Sequence, residues 1–158
     1  MKKKLFEDLI DEALPMLRSA AYRILGNSDD ADDAVQEALL QAWQKFDSFR
    51  SRAKLSTWVC RITVNTAYDM LRKRQREAEK LQNVIPDKSC DPFEYQRIDA
   101  LKNAISELPE KFRNALTLTF LSGFSGDEAA ALEKCNVNTL YGRVRRAKEL
   151  LYEKLKGL

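Results

Sequence analysis

The chain has 158 residues, 44% of them hydrophobic, a net charge of +3, and no histidine. That length holds one ordinary domain or two small ones, and the apolar content is enough for packed cores. Without histidine, His-based acid–base catalysis, Ser-His and Cys-His nucleophile pairs and most zinc enzymes are excluded together.

In chain order, the Met-Lys-Lys-Lys start looks like a signal n-region, but Glu7, Asp8, Asp11 and Glu12 interrupt the segment that an apolar signal core would occupy. No apolar run of about 18 residues exists to span a bilayer, so a cytosolic protein with no membrane insertion is expected. Residues 5–25 read as a helix with Leu5, Leu9, Ala13, Leu17, Ala20 and Ile24 roughly on one side, kinked or split at Pro15. Gly26-Asn27 supplies a stop, and Ser28-Asp29-Asp30 the N-cap and first-turn acids of a second helix. There Ala34, Val35, Ala38, Leu39, Ala42, Trp43 and Phe46 form the apolar stripe. Asp32, Asp33, Gln36, Glu37 and Gln41 form an acidic and polar opposite face.

Residues 47–55 lack helical period and read as a basic loop. A third helix runs from Ser56 or Thr57 to about Arg76, marked by Trp58, Val59, Ile62 and Leu71. Residues 77–96, with Pro86, Asp87, Ser89, Asp91 and Pro92, break the pattern and read as a linker between domains 1–76 and 97–158. Helix resumes over 97–107, and Pro109 suits the first position of the next helix, about 110–121, burying Phe112, Leu116 and Phe120 or its neighbours. Gly123 ends it, and Ser125-Gly-Asp-Glu128 has capping-box spacing for a short helix to about Glu133. A brief turn through Cys135-Asn136 leads to a last helix of roughly twenty residues.

Short helix, tight turn and longer basic helix together make a helix-turn-helix pattern. Leu140, Val144, Ala147 and Leu151 form its packing stripe, so Tyr141, Gly142, Arg145 and Arg146 point outward. The fold class expected is therefore all-α: two small helical domains joined by a flexible linker, the C-terminal one a helix-turn-helix. Cys60, Cys90 and Cys135, odd in number and far apart, suggest no disulfide framework or zinc cluster. No Gly-rich phosphate loop is present, and no cofactor is expected.

Charge is segregated. Residues 1–49 carry net −4, residues 50–76 net +7 with Asp69 as the one acid, residues 77–136 net −4 and residues 137–158 net +4. Two basic stretches about sixty residues apart suggest two contacts with a polyanion, nucleic acid above all.

Four segments resemble extracytoplasmic-function sigma factors of the sigma-70 family. Residues 30–43, beginning at Asp30, look like their polymerase-binding helix. Phe-Asp-Ser-Phe-Arg (46–50) with residues 56–67 looks like their minus-ten segment. Leu-Pro-Glu-Lys-Phe-Arg (108–113) and residues 137–148 look like their minus-thirty-five domain. The resemblance covers nearly the whole chain in the family's order and spacing.

It implies a non-enzymatic protein that binds core RNA polymerase and promoter DNA and is controlled by an anti-sigma factor. Asp33, Gln36, Glu37 and Gln41 are implied to dock on polymerase. Phe49 and Asn65 match residues near a flipped minus-ten base, with Arg50, Arg52, Lys54 and Arg61 available for phosphates. Tyr141, Gly142, Arg145 and Arg146 match the minus-thirty-five readers. Trp58 is assigned to packing rather than DNA.

The family often has Gly where this chain has Asn138 and a basic residue where it has Tyr141, so its upstream sequence preference does not carry over. The resemblance also implies two domains free to move about the linker, whose family counterpart threads toward the polymerase active centre.

Two rivals are of other classes. A sigma-like decoy for an anti-sigma factor needs the packing faces but not Arg50, Arg52, Lys54, Arg145 and Arg146. A stand-alone helix-turn-helix regulator accounts for 108–158 but leaves 30–67 unexplained, and binds duplex operators without polymerase.

Overall fold

The computed structural model describes residues 1–50, 52–81 and 92–157. Every regular element among them is helical: α1 (Lys2–Leu25), α2 (Ser28–Gln44), α3 (Leu55–Leu81), α4 (Pro92–Ser106), α5 (Glu110–Leu116), α6 (Gly126–Leu132) and α7 (Val137–Leu155), with a single 3-10 turn at Phe46–Ser48 at the start of the expected basic loop and a π turn at Thr117–Leu121. α1, α2 and α3 pack on one another as an N-terminal unit, and α4, α5 and α6 pack on α7 as a C-terminal unit. α3 also touches α4 and α6, which joins the two units.

α1 runs through Pro15 as one helix rather than two, and its buried stripe is Phe6, Leu9, Ala13, Leu17, Ala20, Ala21, Ile24 and Leu25. Leu5, expected in that stripe, is exposed; Phe6 takes its place one position, about 100°, further round the helix. Gly26 ends α1 at φ 79°, a left-handed conformation that glycine adopts without Cβ strain. The N-cap of α2 is Asn27 rather than Ser28, its side chain accepting from the Asp30 N–H. Ala31, Ala34, Val35, Ala38 and Ala42 let α2 pack closely, whereas Trp43, expected in the buried stripe, is exposed.

The expected break in helix over 77–96 does not hold at either end. α3 takes in residues 77–81 and α4 residues 92–96, while 82–91, with Cys90 and the family's threading segment, lie outside the described residues.

Pro109 precedes α5 as its N-cap rather than occupying the first helical position. α5 then passes at Thr117–Leu121 into a π-helical turn. The wider turn shifts the register, so Leu118 is fully buried and Phe120, expected in the core, is 60% exposed beneath the Lys148 ammonium. Ser125 and Glu128 form the expected capping box of α6. Lys134 (φ 54°) makes the tight turn, Asn136 caps α7 through the Thr139 N–H, and Leu140, Val144, Ala147 and Leu151 are the buried stripe of α7.

Candidate nucleic-acid and polymerase interface

The basic loop packs against the start of α3 through aromatic rings. Phe49 lies 5.3 Å from Trp58 between ring centroids, and Phe46 lies 6.4 Å from Phe49 and 5.6 Å from Phe6. This ladder ties the loop to the α1–α2–α3 core.

Behind it opens a cavity of about 420 Å³. Phe49, Arg50, Arg52, Trp58, Arg61, Ile62, Asn65 and Thr66 line one side, and Glu110, Ala131, Leu132 and Lys134 of the C-terminal unit line the other. The space is of the order that holds a heterocyclic base, with an apolar wall, an amide and three guanidinium groups. Asn65 is half-buried on α3, where its amide offers both a donor and an acceptor. Lys54 is exposed just before α3 and is not on the cavity wall; its carbonyl accepts the Trp58 N–H.

The cavity is closed from the C-terminal side by charged contacts. Arg61 donates to Glu133 at 2.7 Å, and Arg143 lies 3.9 Å from the same carboxylate. The Glu133 side chain is only 5% exposed, and burial pushes its carboxyl up while Arg61 and Arg143 oppose that shift. Arg113, buried, lies over the Tyr68 ring at 5.5 Å and reaches the Asn65 Oδ1 at 3.5 Å, the outer limit of a hydrogen bond. Arg72 donates to the Ser106 carbonyl at 3.0 Å, and Gln75 donates to Asn103.

On the opposite side of α2, Asp33, Gln36 and Glu37 are exposed, and half-buried Gln41 donates to Glu37 at 3.1 Å. Asp32, grouped with them in the sequence, is held by Arg18 at 2.7 Å. Gln41 also reaches the cavity, so it borders both surfaces. Next to Gln36 a shallow apolar groove of about 480 Å³ runs between α1 and α2, lined by Phe6, Ile10, Leu39, Leu40 and Trp43. Leu39 packs against the core as periodicity expects, whereas Trp43 is exposed; the signal for the groove in the sequence is Leu40, an apolar residue outside the stripe, which is 59% exposed.

On α7, Tyr141, Arg145 and Arg146 face solvent, Gly142 is half-exposed, and Arg146 pairs with Glu149 at 3.0 Å. A Cβ at Gly142 meets nothing within 4 Å, so this part of the helix is open to an approaching surface. The structure thus brings Phe49, Arg50, Arg52, Arg61 and Asn65 to one cavity and leaves the α7 residues as a separate surface. Trp58 and Ile62 pack against the core, as expected, and also line the cavity, which periodicity alone does not show.

Among the described residues no helix is long and apolar enough to cross a membrane, and no group of His, Cys, Asp or Glu could hold a metal ion.

The chain matches Sigma-70 region 2 over residues 9–77 and Sigma-70, region 4 over residues 98–151. It is 37% identical over 147 residues to the ECF RNA polymerase sigma factor EcfG of Rhodopseudomonas palustris (strain TIE-1), covering 91% of this chain and 81% of that protein. Among solved structures it is similar to the sigma factor RpoE of Bartonella quintana in complex with the anti-sigma factor NepR. That likeness has a TM-score of 0.56, 33% identity and coverage of 96% of both chains. It is also similar to CnrH in complex with the cytosolic domain of CnrY, with a TM-score of 0.59, 26% identity, and coverage of 96% of this chain and 88% of that one.

Proposed function

The chain belongs to the sigma-70 family as an RNA polymerase sigma factor of the extracytoplasmic-function type, and on that premise we propose how its surfaces divide promoter recognition. It directs promoter recognition and transcription initiation, with core RNA polymerase and promoter DNA as partners and an anti-sigma factor as its regulator. Asp33, Gln36, Glu37 and Gln41, together with Leu40 and Trp43 beside them, dock on core polymerase. The cavity at Asn65 receives an unstacked base of the minus-ten strand, which Phe49 and Trp58 flank, while Arg50, Arg52, Lys54 and Arg61 neutralise its phosphates. Tyr141, Gly142, Arg145 and Arg146 read the minus-thirty-five duplex in the major groove.

The observation that supports this division is the cavity beside Asn65, framed by an aromatic pair and three arginines. Melting is then capture: bases that open transiently are held by stacking and edge hydrogen bonds, and no covalent step belongs to the protein. It acts in the cytoplasm, where polymerase and promoters are. Each DNA contact is small, so polymerase supplies the spacing and effective concentration that make the two contacts act together.

The test is transcription by purified core polymerase with this protein on a pool of promoter fragments. Start sites that depend on both proteins are expected, and their absence overturns the reading.

A further inference from the structure

The cavity assigned above to the minus-ten base has one wall that belongs to the other unit. Ala131 and Leu132 of α6 and Lys134 after it face Asn65 and Arg61 of α3 across it. Arg61, counted among the strand-binding residues, is already occupied: its Nε lies 2.7 Å from a Glu133 oxygen. A carboxylate at that position presents to Arg61 the same chemistry as a DNA phosphate: a planar or tetrahedral oxyanion within reach of a guanidinium. Arg113, inserted between Tyr68 and Asn65, sits against the amide that is to read the base. Two independent groups of the C-terminal unit therefore hold the two kinds of atom the strand needs, the phosphate partner and the base partner.

We propose that the free protein is self-masked: Glu133 acts as a phosphate mimic that latches α6 onto Arg61 and closes the minus-ten cavity, so that strand capture requires the C-terminal unit to leave. The masking half rests on the cavity reading above; the latch itself does not.

The charged part of the interface has the character of a latch. Ion pairs and polar contacts, Arg61–Glu133, Arg72–Ser106, Gln75–Asn103 and Arg113–Asn65, cross the interface beside apolar residues of both units that belong to one buried cluster. A buried ion pair regains the hydration of both charges when it opens, so Arg61–Glu133 adds little net stability to the closed state while fixing its geometry. Polymerase, by holding the two units at promoter spacing, competes with the closed state rather than adding a new contact. A bound strand does so too, because its phosphate replaces Glu133 on Arg61.

Glu133→Gln removes the charge at nearly constant shape. Ala131→Arg, at a half-buried position of α6 facing the cavity, adds a bulky cation beside Arg61 without removing any contact inside the C-terminal unit. Small-angle X-ray scattering on the full chain reads closure, and fluorescence anisotropy with a labelled single-stranded oligonucleotide reads the cavity.

The wild-type protein is expected to scatter as one closed particle and to bind the strand weakly. Both variants, shown folded by circular dichroism, are expected to give a larger radius of gyration. They are also expected to bind the strand about tenfold tighter if the open state is roughly a tenth of the wild-type population. With core polymerase present, the wild type and Glu133→Gln are expected to converge.

A wild-type protein that scatters as two separated bodies, or two folded variants with unchanged radius, overturns the latch and leaves the cavity reading standing. Expansion with no gain in strand affinity overturns the masking and counts against the cavity reading itself.

Discussion

Phe49 and Trp58 lie with ring centroids 5.3 Å apart and planes inclined at 45°, one on the basic loop and the other on the first turn of α3. The pair fixes the loop against a helix whose next turns carry Arg61 and Asn65, so loop and pocket are placed as one piece. Phe49→Ala removes the loop's half of the pair. It is expected to weaken single-strand binding by about 1–3 kcal/mol, with the larger part of the protein's stability retained. Oligonucleotide titration and denaturant unfolding of the same samples separate the two. A loss of stability equal to the loss of affinity assigns Phe49 to packing instead.

Asn65 stands half-buried on α3 beside the cavity and contributes nothing to the buried apolar stripe of that helix. Asn65→Ala is expected to slow promoter opening while leaving assembly with polymerase and binding to closed promoter DNA near wild type. Permanganate reactivity of the minus-ten thymines, set against gel-shift affinity, measures the two steps. Equal loss of both counts against the pocket assignment.

Arg145 and Arg146 are exposed cations of α7 close in sequence to Tyr141 and Gly142. Changing both to Ala is expected to weaken recognition of the upstream element and to lower the salt dependence of binding by about one to two released counterions. The Arg146–Glu149 pair is solvent-exposed and adds little, so folding is expected to be unaffected. Footprints over a salt series test this.

Gly142 lies inside α7 with open space where a Cβ would point. Gly142→Ala is expected to stabilise the free protein by about 0.5–1 kcal/mol through helix propensity. It is also expected to weaken the upstream contact by obstructing the approach of DNA. Thermal unfolding and duplex affinity should therefore move in opposite directions; a gain in both removes Gly142 from the interface.

Cys60 is fully buried on α3, and burial pushes its thiol from 9.0 up to about 11. Because the folded value is the higher one, the neutral thiol costs nothing below pH 9, and stability falls as pH rises from 9 toward about 11. Thiol reagents near neutral pH are expected to label half-buried Cys135 well before Cys60, as mass spectrometry of the digested protein can show. Cys60→Ala is expected to flatten the alkaline decline between those pH values in denaturant unfolding. A decline of unchanged depth assigns it to other groups, such as buried Tyr68, whose phenol burial also pushes up.

Local order is what the amino-acid sequence alone carried here. The capping box at Ser125 and Glu128, the glycine stop at Gly26 and the stripe of Leu140, Val144, Ala147 and Leu151 are decided within a few residues of themselves. So is the outward direction of Arg145 and Arg146, which follows from the stripe by helical rotation. Pro15 passing without a break, the π turn that exposes Phe120, and Trp43 lining a groove rather than a core are decided by what each helix packs against. Propensity and period contain no information about that neighbour. The same holds for the cavity, whose two walls are far apart in the chain. Nothing in the spacing of Arg61 and Glu133, seventy-two positions apart, brings them to 2.7 Å; only the packing of α6 on α3 does.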